Sequence, residues 1–113
     1  MNEEIQAKIN DTVESEENDY IVELKKPVTI GDVEYRDKID MSGVENITTA
    51  MVKKAIRVAS RKSAIMMYQA DLNVQLFLVS QLLNCVPEDF DSVPANITSA
   101  LCAQVQSFLM NVD

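Results

Sequence analysis

Gly31-Asp32 stands between two runs of alternating apolar and polar residues, and this restricts residues 20–41 to an antiparallel β-hairpin. A Gly-first pair suits a two-residue type II′ turn. Closing the chain there sets Ile30 against Val33, Val28 against Tyr35, Lys26 against Asp37, Leu24 against Ile39 and Val22 against Met41. Each pair on that face is apolar except Lys26–Asp37, which is opposite in charge. The other face carries Glu23, Lys25, Pro27 and Thr29 against Asp40, Lys38, Arg36 and Glu34. A slip of one residue would turn every apolar side chain outward, so the register is strongly specified. Pro27 has no N–H to give to a ladder, which predicts a bulge or an unpaired edge at that point.

From Ser42 the apolar period changes from two to about 3.6, the helical value. Ser42-Gly43-Val44-Glu45 has capping-box spacing, and Thr48 or Thr49 offers a second start. A first helix is expected over about 44–61, with Val44, Ile47, Met51, Ala55 and Val58 on one side. Lys62 to Tyr68 fits either a short extended piece or a helical continuation. A second helix, about 71–84, carries Leu72, Leu76, Val79 and Leu83 as its stripe, widened by Leu78 and Leu82, and is apolar enough to be central. Val86-Pro87 through Val93-Pro94 reads as a connector, because each proline disfavours helix at the residue before it. A last helix runs over about 94–110, with Ile97, Leu101, Val105, Phe108 and Leu109 on one face. A hairpin followed by three helices predicts an α+β fold in which the helices pack on the sheet's apolar face.

A length of 113 residues suits one domain, placed at 20–113, and 47% hydrophobic residues allow it a core without metals or disulfides. Charge divides the chain unevenly. Residues 1–19 hold Glu3, Glu4, Asp11, Glu14, Glu16, Glu17 and Asp19 against Lys8 alone, a net of −6, which leaves −2 of the total −8 for the rest. That first stretch reads as an acidic, disordered tail when nothing is bound. Ile5, Ile9 and Val13 recur every fourth residue, so a transient amphipathic helix also fits it. The acidic balance opposes general binding to phosphate backbones. No apolar run approaches a membrane span, and the acidic start is unlike a signal peptide, so a cytoplasmic protein is expected. The Asn46-Ile47-Thr48 and Asn96-Ile97-Thr98 sequons are then incidental.

Catalytic chemistry finds little to use. The chain has no histidine, which removes the commonest general base and metal ligand together. Two glycines leave no phosphate-cradling loop. Ser60 and Ser63 near Lys62 read as a solvated helix end rather than an activated nucleophile. Glu88, Asp89 and Asp91 lack calcium-loop spacing and fit capping after Pro87. Cys85 and Cys102 show no metal or redox spacing and read as buried thiols. The expectation is a non-enzyme with no cofactor and no metal.

Two surface signals point instead to protein binding. Lys53, Lys54, Arg57 and Arg61 gather on one side of the first helix, and no acid occurs between Glu45 and Asp71. That face is read as a solvated exterior, as a dock for the acidic tail in cis, or as a dock for an acidic partner. Met66-Met67 suits either a core or an adaptable groove for a partner's apolar helix. Candidate partner-binding residues are therefore Lys53, Lys54, Arg57, Arg61, Met66, Met67, Phe108 and Leu109.

The run Ile21-Val22-Glu23-Leu24-Lys25-Lys26-Pro27-Val28-Thr29-Ile30-Gly31, then Tyr35 and the strand end at Ile39 and Met41, resembles the tail assembly chaperones of long-tailed bacteriophages. The helix at Thr48 to Ala59 and the ending (apolar helix, acidic proline-bearing connector, final helix closing on Phe108-Leu109) extend the resemblance over about residues 20–110. It implies a non-enzymatic role in the cytoplasm of the infected host cell. Such chaperones bind the long helical tape-measure protein, keep it soluble, help recruit tail-tube subunits, and are absent from the finished virion. The acidic tail is not part of that pattern. Two other readings compete with the chaperone. A small acidic phage effector that inhibits a host protein as a nucleic-acid mimic should spread its acids over the fold, whereas here they concentrate in residues 1–19. A minor virion protein of the tail or head-completion type should remain in purified particles.

Overall fold

The computed structural model describes residues 20–111, and the acidic tail lies outside the described residues. The described residues form four short strands and three α-helices: β1 (Ile21–Glu23), β2 (Val28–Ile30), β3 (Val33–Tyr35), β4 (Lys38–Asp40), α1 (Thr49–Ala59), α2 (Leu72–Leu83) and α3 (Ala95–Met110). Single 3₁₀ turns at Ser42–Asn46, Tyr68–Ala70 and Pro87–Phe90 join them. The fold is α+β, as the order of periods in the sequence predicts.

The tip of the ribbon follows the expected register, with Val28 opposite Tyr35, Thr29 opposite Glu34 and Ile30 opposite Val33. Gly31 takes φ +62° and Asp32 does not have positive φ, the pattern that a Gly-first II′ turn requires. Beyond Pro27 the register differs from the expectation. Val22 pairs with Ile39 rather than Met41, and Glu23 with Lys38. The Leu24 N–H donates to the Asp37 carbonyl at 2.8 Å, and the Met41 N–H to the Tyr20 carbonyl. Lys25, Lys26 and Pro27 therefore face Arg36 alone, and the ribbon splits into two two-stranded pieces. The missing donor at Pro27 explains the break. An excess of two residues keeps the side-chain parity, so Val22, Val28, Ile30, Ile39 and Met41 all remain buried.

The first helix starts at Thr49, five residues later than the 44 expected. Thr48 is its N-cap, its Oγ1 accepting from the Met51 N–H at 3.3 Å. Ser42 caps nothing with its side chain; its own N–H donates to Asp40 Oδ1 at 2.8 Å, and residues 42–46 form a tight turn that buries Val44. The carboxyl of Asp40 is held below its ordinary range by that bond. Asp71 caps α2 in the same manner, accepting from the Val74 N–H at 3.1 Å, and Asn84 closes it in the left-handed conformation, φ +62°.

Helix α2 is central, as expected, and Leu78 and Val79 of the expected apolar side are buried, but the rest of the buried line differs. Val74, Leu78 and Val79 are fully buried, whereas Leu72 is 57% exposed and Leu76 half-buried. Packing from several sides decides this: α1 and α3 both lie against α2, and β1 lies against α3. Ala55 and Ala59 give α1 a small-residue face that is fully covered. Two polar residues inside α2 are satisfied. Ser80 Oγ donates to the Leu76 carbonyl at 2.6 Å. Gln75 Nε2 donates to the Gln69 carbonyl at 2.7 Å and to Gln106 Oε1 at 3.2 Å, which ties the Tyr68–Ala70 turn to α3.

Candidate functional site

Residues 60–71 decide where the molecule is left open. Turn-type bonds from the Arg61 and Lys62 N–H groups to the Val58 and Ala59 carbonyls close α1, and the chain then runs without regular structure to Tyr68. Neither an extended strand nor a continued helix forms between Lys62 and Met67. Met66 is 99% exposed and Met67 51%. Both are large apolar side chains held in water, which burial on folding has not removed.

The connection re-enters the fold at Tyr68, and an open groove of about 260 Å³ lies there. Ile47, Thr48 and Val52 from the start of α1 form one wall, and Tyr68, Phe108 and Leu109 form the other. Met67 precedes Tyr68 in the chain, and Met110, 50% exposed, follows Leu109. A bond of 3.8 Å from Gln106 Nε2 to the Met110 sulfur joins this end of α3 to the Gln75 network. The structure thus brings two nominated residues, Phe108 and Leu109, to one groove; Met66 and Met67 do not line it, although Met67 directly precedes Tyr68 in the chain. Phe108 and Leu109 are half-buried rather than fully exposed.

The four nominated cations lie elsewhere on α1. Lys53, Lys54, Arg57 and Arg61 are all exposed and share one side of the helix, with Lys53 one turn on from the groove residue Thr49. Lys54 Nζ sits 6.0 Å from the centre of the Phe77 ring, a cation–π contact with α2. A second opening, about 140 Å³, runs between α1, α2 and the Pro87–Phe90 turn, lined by Val58, Lys62, Leu76, Phe77, Glu88 and Asp91 among others. Lys62 reaches Glu88 at 3.9 Å across it, with both side chains more than half exposed.

A third cleft, about 230 Å³, separates the ribbon tip from the end of α2 and includes Gly31, Val33, Cys85, Val86 and Asp89. Asp89 Oδ2 accepts from the Val86 N–H at 3.1 Å, so this carboxylate of the acidic trio caps the turn. Cys102 is buried, but Cys85 is only partly so. Burial, then the Asp89 charge, raise the Cys85 thiol above its ordinary range, and burial pushes Cys102 up to about 11. Neither is tuned toward a reactive thiolate. Among the described residues no group of three His, Cys, Asp or Glu is placed to hold a metal ion, and no helix is long and apolar enough to cross a membrane.

Sequence reasoning did not nominate Tyr68 or Val52 for the groove; Tyr68 carried a signal in standing directly after the methionine pair, and Leu72, placed in the α2 stripe, is instead exposed. The chain matches no protein-family model, no curated protein and no solved structure.

Proposed function

We propose that this protein is a non-enzymatic tail assembly chaperone of a long-tailed bacteriophage, which holds an apolar helix of the tape-measure protein and helps bring tail-tube subunits to it. It acts in the cytoplasm of the infected cell and is left out of the finished virion. The supporting observations are the groove walled by Tyr68, Phe108 and Leu109 and the exposed Met66-Met67 pair that immediately precedes Tyr68 in the chain. An amphipathic helix laid in such a groove offers apolar side chains at every third or fourth position, and unbranched methionines adapt to their irregular spacing. A tape-measure protein consists largely of such helices and aggregates when they are exposed. The resemblance over residues 20–110 supplies the particular partner; the groove supplies the mode of contact.

The experiment is co-expression with the tape-measure protein of the same phage, followed by pull-down and measurement of how much of that protein stays soluble. The reading requires co-purification and a soluble tape-measure protein only when this chain is present. A tape-measure protein that stays aggregated and unbound in its presence refutes it.

A further inference from the structure

The cationic side of α1 plays no part in the groove, and its surroundings leave it uncompensated. Among the described residues, Lys53, Arg57 and Arg61 meet no carboxylate within ion-pair distance, and Lys54 is engaged by the Phe77 ring. Lys54, Val58 and Lys62 follow one another at four-residue spacing and flank the cleft over Leu76 and Phe77. The result is four cations on one side of α1 beside an apolar floor, with Lys62, beyond the helix end, already meeting Glu88.

We propose that residues 1–19 of this chain dock in cis along this cationic side of α1. Their composition is complementary to it. Seven carboxylates against Lys8 give −6 to set against the four cations Lys53, Lys54, Arg57 and Arg61, and Ile5, Ile9 and Val13 recur at the spacing that presents one apolar edge to Val58, Leu76 and Phe77. The opposite wall of the cleft carries Glu88 and Asp91, which repel the segment and confine it to the α1 side. Reach is no obstacle. Nineteen residues can extend about 60 Å from Tyr20, several times the ~12 Å radius of gyration of a compact domain of this size. Exposed ion pairs are weak singly, but attachment at Tyr20 makes the contact intramolecular, so a row of weak pairs suffices. Docked in this way, the segment neutralises the cationic side of α1 and leaves the groove walled by Tyr68, Phe108 and Leu109 open. The inference does not depend on the identity of the groove's partner.

Lys8 reports on docking, because it is the one site for a lysine-specific protease within residues 1–19. The intact chain is treated briefly at low salt, and loss of residues 1–8 is followed by mass spectrometry. K53Q/R57Q/R61Q should speed that cleavage about threefold or more over the unaltered chain, as should E14Q/E16Q/E17Q, which leaves the folded domain untouched. In about 0.5 M NaCl, where charges are screened within a few ångströms, the ratio should fall to one. Equal rates at low salt in all three chains overturn the proposal. Protection that grows when the protein is concentrated about twentyfold overturns the cis assignment and gives the face to a second copy.

Discussion

The ribbon and the connection between α1 and α2 are similarly rich in apolar residues, and they end in opposite conditions. In the ribbon, Val22, Val28, Ile30, Ile39 and Met41 are all buried, the last two nearly completely. In the connection, Met66, Met67 and the following Leu72 are all at least half exposed. The difference lies in what each backbone can satisfy. Alternation in a paired ribbon delivers every second side chain to the same face at no further cost in ordering. A run of adjacent apolar residues without strand or helix cannot turn all of them inward while its N–H and carbonyl groups seek partners. Ile65 and Tyr68 turn in against the core and Gln75 holds the Gln69 carbonyl, so the two methionines between those anchors are left in water.

The sharpest test of this contrast is Ile39→Ala in β4. Ile39 is fully buried, and the truncation should cost roughly 2–5 kcal/mol, read as a lower urea midpoint with an unchanged slope. Gln75→Ala should come next. It leaves the Gln69 carbonyl and Gln106 without their partner, at roughly 1–3 kcal/mol, and should loosen the connection selectively, seen as faster amide exchange at Tyr68–Ala70. Gly31→Ala should cost about 1–2 kcal/mol, because the turn holds φ +62° and the new Cβ would meet Asp89 Oδ2 at 3.0 Å. A loss at Gly31 as large as that at Ile39 would mean that the tip, rather than the inner face, carries the ribbon.

Cys102 gives a smaller, pH-dependent contrast. Its folded thiol is pushed up to about 11 from an ordinary 9.0, so the folded state binds a proton more tightly than the unfolded one. The corresponding stability is fully present below pH 9 and is lost as pH rises through about 11. Thermal midpoints measured across that window should fall less steeply in Cys102→Ala than in the unaltered chain. At neutral pH, iodoacetamide should modify Cys85 before Cys102, because Cys102 is buried and Cys85 only partly so.

How much of this was legible in the sequence follows the same division. Parity along a strand survives an insertion of two residues, so Val22, Val28, Ile30, Ile39 and Met41 could be read as buried even though the pairing of Val22 could not; Val33, placed on the same face, is instead 46% exposed at the ribbon tip. Pro27 marked the place of the break without giving its size. The start of α1 was misplaced because Ser42 and Glu45 mimic a capping box, while Thr48 does the actual capping and the Ser42 N–H is bound by Asp40. In α2 the period alone could not tell Leu72 from Val74, since a helix packed from several sides buries residues according to its neighbours and not to one stripe. The groove was the least legible feature. Its walls come from Ile47–Val52, Tyr68 and Phe108–Leu109, which meet only in the folded chain.

The central claim is that Met66 and Met67 are exposed for a partner and contribute nothing to the fold. The direct measurement is the M66S/M67S chain co-expressed with the tape-measure protein, with its thermal midpoint determined separately. The account predicts stability within about 0.5 kcal/mol of the unaltered chain and a tape-measure protein that no longer co-purifies. Full retention of the tape-measure protein by that chain, at unchanged stability, would contradict the account.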